Sequence, residues 1–147
     1  MHIRYLQAIL AGLFLCAPAV AFAADPAVPD MRGTWKVEAI SIVTGAGNHH
    51  PADAPPPAEG TKPRLRKFEA TMQVTGQEGV RFWGTLTSKA YKEDVIATFT
   101  GEGERFIAVN SAGYFSGNVL ASGSARYCYQ QVEPTLHVAA CGTMTRE

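Results

Sequence analysis

Cysteine is scarce in this chain: there are three, and Cys16 falls within the first two dozen residues, so only Cys128 and Cys141 lie beyond them. A scaffold held by several bridges is excluded. With no Cys-x-x-Cys spacing and no histidines clustered around either cysteine, the familiar zinc and redox-couple patterns are missing too. Nor is charge of one sign in excess, since 13 Lys and Arg stand against 13 Asp and Glu. The balance gives no electrostatic reason to expect a nucleic-acid partner. No window carries a sustained 3.6-residue apolar stripe, which removes helix as the main element. No Gly-x-Ser-x-Gly elbow is present, and nothing sets a base beside a nucleophile.

What is present begins with the arrangement of a secretory leader. Arg4 precedes an apolar run from Ile9 to Leu15, and Ala21-Phe22-Ala23 offers a small-x-small cleavage site. The run is too short for a permanent bilayer anchor, and the Ala-rich stretch after Pro18 is no stop-transfer signal. Bulky Leu15 stands before Cys16 where a lipoprotein signal places Gly or Ala, so Cys16 belongs to the leader. The expectation is a signal peptide over 1–23 and a periplasmic or secreted domain over 24–147, about the size of one core. In an oxidising compartment, Cys128 and Cys141 are then expected to form a disulfide.

The remaining chain alternates with a period close to two. From Lys67 to Thr75, Phe68, Ala70, Met72 and Val74 share one face while Lys67, Glu69, Thr71, Gln73 and Thr75 share the other. Gly76-Gln77-Glu78-Gly79 reads as a tight turn into a second strand, Val80 to Ser88. Further strands are predicted at Thr34–Val43, Asp94–Thr100, Arg105–Asn110, Tyr114–Ser122, Ala125–Val132 and Leu136–Met144. About eight strands joined by short turns predict an all-β domain: an antiparallel up-and-down barrel, with an open two-sheet sandwich as the alternative. Phe82-Trp83-Gly84, Phe99-Thr100-Gly101 and Phe115-Ser116-Gly117 repeat an aromatic-x-Gly pattern, in which the glycines mark bends in a curved sheet.

The last hairpin allows its register to be counted. If Pro134-Thr135 are the central turn residues, Glu133 faces Leu136 and Cys128 faces Cys141, within disulfide reach. Arg126, Gln130 and His137 then share the outer face with the cysteines, and Tyr127, Tyr129, Leu136, Val138 and Ala140 point inward.

Gly33-Thr34-Trp35, opening the first strand, resembles the Gly-x-Trp signature of the calycins, the lipocalins and avidins. The resemblance implies an eight-stranded barrel with Trp35 packed across its closed base and a small-molecule pocket at the other end. It brings no ligand identity with it. On the residues alone, a core aromatic plugging the barrel is the preferred role for Trp35.

Between residues 44 and 63, Gly45, Gly47 and Pro51, Pro55, Pro56, Pro57 and Pro63 rule out a regular strand or helix. This long loop reads either as a lid or partner-binding protrusion or as a plain surface insertion. His49, His50 and Asp53 within it are metal-binding residue types, but neighbouring histidines seldom share one ion, so no metal site is assigned. The basic run Lys62, Arg64, Arg66 and Lys67 reads as a solvated strand entrance in preference to an anion site. Glu93 and Asp94 alternate faces and make a poor acid and base pair, and Glu102 and Glu104 read as a solvated turn.

No catalytic residue and no cofactor are assigned. The leading expectation is a non-enzymatic exported barrel that binds a small, partly apolar or amphipathic ligand through Trp35, Phe68, Met72, Phe82, Tyr127 and Tyr129. The alternative is a protein-interaction module, an assembly factor or enzyme inhibitor, working through its outer surface and the 44–63 loop. A small-barrel enzyme ranks third. No permanent membrane anchor is expected.

Overall fold

The computed structural model describes residues 28–45, 62–100, 103–120 and 123–147. Eight strands follow in order: β1 (Gly33–Gly45), β2 (Arg64–Glu78), β3 (Arg81–Thr87), β4 (Lys92–Thr100), β5 (Arg105–Val109), β6 (Tyr114–Leu120), β7 (Ser124–Glu133) and β8 (Leu136–Arg146). Each pairs antiparallel with its neighbour in sequence, and β8 returns to pair with β1, closing a barrel. The β1–β8 seam rules out the open sandwich and leaves no exposed sheet edge. This is the all-β up-and-down topology expected from the alternation, and it is consistent with a calycin-like barrel.

Directly opposed outward residues trace the stagger of the barrel. The path Leu65, Ile42, Ala139, Gln130, Tyr114, Val109, Ile96, Trp83 comes back to β2 at Gly76 and not at Leu65. Tilted strands require such an offset to close. The strand ends form two rims. One, termed the rim, gathers the end of β1, the start of β2 and the β3–β4, β5–β6 and β7–β8 connections; the other, termed the base, holds the start of β1 and the β2–β3 turn.

The base is sealed by the residues that precede β1. Met31 is wholly buried, Trp35 is 1% exposed, and the Trp35 indole N–H donates to the Met31 carbonyl at 2.8 Å. Gln77 holds the same segment from the other side: its amide oxygen accepts from the Met31 N–H at 2.7 Å and its amide nitrogen donates to the Pro29 carbonyl at 2.9 Å. The Arg146 guanidinium lies 4.7 Å from the Trp35 ring centroid and donates to the backbone carbonyls of Arg32 and Asp30. A cation over an indole face adds attraction to the apolar burial of that ring. Above the base, Phe82, Phe99 and Phe106 pack with centroids 5.3 to 6.4 Å apart, in tilted and edge-on pairs.

The β2–β3 hairpin corrects one expectation. The strand does not stop at Gly76; it bulges between Val74 and Gly76 and runs on to Glu78, leaving Gly79 and Val80 as the turn. The bulge admits Gly76 beneath the Trp83 ring, where an added Cβ would come within 2.3 Å of ring carbons, and swings Gln77 toward the base. Composition alone reads Gly-Gln-Glu-Gly as a turn, whereas the contacts to Trp83 and Met31 keep it in the sheet.

The β7–β8 hairpin has the counted register. Glu133 opposes Leu136, Cys128 opposes Cys141, and the two cysteines form a disulfide with Cα atoms 4.0 Å apart. Arg126, Gln130 and His137 are exposed around it, while Tyr127, Leu136 and Ala140 are buried.

Candidate functional site

Near the rim the alternation carries polar side chains into the barrel. On β2, Arg64, Arg66 and Phe68 are half-buried, and Leu65 and Lys67 between them are exposed, Leu65 by 75%. The basic run is therefore not uniformly solvated: Lys62 and Lys67 face water, whereas Arg64 and Arg66 share the face that continues downward as Phe68, Ala70 and Met72. One Arg64 terminal nitrogen donates to the Gly45 carbonyl at 3.2 Å. On β4, Glu93 is half-buried and Asp94 exposed, so the two carboxylates diverge as expected.

Two polar chains run around this rim. Glu93 accepts hydrogen bonds from the Asn110 amide at 2.7 Å and the Ser111 hydroxyl at 2.8 Å, while the Asn110 side-chain oxygen accepts from the backbone of Ala112 and Gly113 at 3.1 and 2.8 Å. An Asx turn thus fixes the β5–β6 connection and aims Asn110 at Glu93. On β7, the Tyr129 hydroxyl donates to Gln131 Oε1 at 3.3 Å, and Gln131 Nε2 donates to Glu133 at 2.5 Å. Gln131 is 1% exposed, and its burial needs such partners.

Three tyrosines stand inside these chains. Tyr91 stacks on Phe68 with centroids 6.4 Å apart, and Phe115 packs on Tyr129 at 4.8 Å and on Tyr127 at 6.0 Å. Burial pushes all three phenols well above the ordinary tyrosine range, and the negative charge of Glu93 pushes Tyr91 and Tyr129 further. Tyr127 and Tyr129 push the Tyr91 phenol up a little further. At physiological pH all three are neutral and can donate.

Tyr127 differs from the other two. It is 4% exposed, and its hydroxyl has no hydrogen-bond partner among the described residues. Such a group is worth about 1–3 kcal/mol of lost hydration. Tyr127 also lines a cavity of about 20 Å³, together with Met72, Phe82, Ala108, Phe115 and Met144. That volume holds about one water molecule.

The six residues read from the sequence as ligand contacts all lie on the inner surface, at different heights. Trp35 belongs to the sealed base; Met72, Phe82 and Tyr127 meet around the cavity; Phe68 and Tyr129 are half-buried members of the rim groups. Tyr91, Glu93, Gln131, Arg64 and Arg66 are additions to that set. Their signal was present in the alternation: Glu93 is in phase with Val95 and Phe99, and Arg64 and Arg66 are in phase with Phe68 and Met72. His49, His50 and Asp53 lie outside the described residues. His137 is exposed, with its Nδ1 3.4 Å from the Thr44 hydroxyl.

Among the described residues, no group of three or more His, Cys, Asp or Glu is arranged to hold a metal ion, and no helix is long and apolar enough to cross a membrane. Compared with known families and curated proteins, the chain matches no family model and no curated relative.

Proposed function

We propose that this chain is an exported, non-enzymatic barrel of the calycin kind that binds a small, partly apolar molecule entering from the rim. The observation that carries the reading is the asymmetry of the two ends. The base is tied shut by Met31, Trp35, Gln77 and Arg146, whereas the rim turns Arg64, Arg66, Glu93, Tyr129 and Gln131 toward the barrel interior. Polar groups converging above an apolar interior suit a ligand with one polar end. Phe68 and Tyr129 are its upper contacts and Met72, Phe82 and Tyr127 its floor, with Trp35 supporting the base. Export rests on the leader pattern at 1–23 and accords with the Cys128–Cys141 bridge.

A second reading has an observation of its own. Trp83, Ile96, Val109 and Tyr114 are directly opposed across β3, β4, β5 and β6 on the outer wall, each 44–62% exposed. A contiguous apolar row on a soluble surface suits a protein partner, as in an assembly factor or inhibitor.

One titration separates the two. The neutral fluorophore N-phenyl-naphthylamine should bind the mature protein, and Ala108→Val, which fills the cavity, should weaken it by about tenfold. The double variant Ile96→Ser, Val109→Ser should leave that affinity unchanged. Affinity lost with the outer row and kept with the filled cavity rejects interior binding and favours the interaction module.

A further inference from the structure

We propose that the ligand of this barrel is recognised through a neutral hydrogen-bond acceptor, an oxygen of the ketone, aldehyde, ester or ether class, that takes the proton of Tyr127. The inference rests on the reading of the barrel as a small-molecule binder and specifies the chemistry of that same site.

Two facts lead to it. The first is the contrast among the three phenols: Tyr129 donates to Gln131 and Tyr91 is hydrogen-bonded to Ser88, while the Tyr127 hydroxyl is buried with no partner among the described residues. The second is the cavity that Tyr127 lines. Its walls are apolar, so a water molecule there would find fewer than the two to four partners that hold buried water in place. The hydroxyl therefore lacks an acceptor that neither the described protein nor a trapped water supplies well. A phenylalanine would pack the same ring without that deficit.

The walls also restrict the guest. A carboxylate or ammonium brought against Met72, Phe82 and Met144 would lose its hydration with no ion partner in the cavity, so the accepting atom must be neutral. Burial keeps the proton on Tyr127, which makes the phenol a donor. Room comes from the same residues: Met72 and Met144 are unbranched and adapt their shape readily, and half-buried Phe115 packs against both Tyr127 and Tyr129. A guest sliding past Phe115 would bring its accepting atom to Tyr127, lay its apolar body against Met72, Phe82 and Phe68, and leave any second polar group among the rim side chains.

The test uses disulfide-intact mature protein and two shape-matched probes, methyl pentyl ketone and the alkene in which a methylene group replaces the ketone oxygen. Affinities are measured by NMR titration and each is corrected for the probe's hexadecane–water partition. The ketone should bind more tightly by about fivefold, the scale of one hydrogen bond. Tyr127→Phe should erase that preference while leaving alkene affinity unchanged, and Tyr129→Phe should preserve it. Equal corrected affinities in the unaltered protein, or a preference that survives Tyr127→Phe, overturns the inference and leaves interior binding standing. Failure of both probes to bind overturns the binding reading as well.

Discussion

Among single residues, Tyr127 combines burial with a hydroxyl that has no partner among the described residues. A phenol in an apolar interior holds its proton because the phenolate would lose hydration, and the same holds for Tyr91 and Tyr129. All three have folded-state values above their unfolded value of 10.0. Above that pH the unfolded chain releases protons that the folded chain retains, so the contribution of these groups is whole below pH 10 and is lost as pH rises beyond it. Tyrosinate absorbance from these residues should therefore appear together with loss of sheet circular dichroism, in one step above pH 10. Ionisation of all the tyrosines near their ordinary value, with the sheet intact, would show that the three are not buried. At this scale the sequence was legible wherever alternation was followed without regard to polarity. Tyr127 and Tyr129 were read as inward because they alternate with the face of Arg126, Gln130 and His137. Arg64 and Arg66 obey the same phase, but charge suggested solvent, because burying a charge is unfavourable until its partners are seen.

Among the elements, close strand approach decides which residues the barrel tolerates. Gly84 on β3 opposes Val74 beside the β2 bulge, and a Cβ there would fall 1.9 Å from the Gln73 carbonyl oxygen. Backbone cannot yield as a side-chain tip can, so Gly84→Ala should destabilise the barrel by about 1–3 kcal/mol or more in urea unfolding. An unchanged midpoint would mean that β2 and β3 lie farther apart than described. The aromatic-x-Gly pattern had marked Gly84 and Gly117 as bend positions, and both are places where an added carbon meets its neighbours. Turns divided by the kind of information they carry. The β7–β8 hairpin was countable because a turn centred on Pro134-Thr135 sets Cys128 opposite Cys141, so turn and disulfide agree on one register. The β2–β3 hairpin was not, because a bulge inserts a residue without leaving a compositional mark other than glycine.

For the whole molecule, one closed sheet divides the labour between its ends. Apolar residues at the base, with Trp35 under Arg146 and over Met31, complete the core; at the rim the inner face becomes polar. Closure of eight strands followed from their number, length and short connections, which is why the fold could be read from periodicity. Whether the interior would be hollow could not, since inward residues of the same types either line a cavity or fill it. The cavity lined by Tyr127 is about 20 Å³, so a guest larger than a water molecule would need Met72, Met144 and Phe115 to rearrange.

The central claim is that the barrel holds a small molecule through its inner face. Its most direct test is the native mass of the mature protein, secreted into an oxidising compartment and purified without denaturation, set against its denatured mass. The account predicts a reproducible additional mass that leaves on unfolding and is missing from the Ala108→Val protein prepared identically. A bare chain in the native spectrum, or an adduct retained by the filled variant, would contradict it.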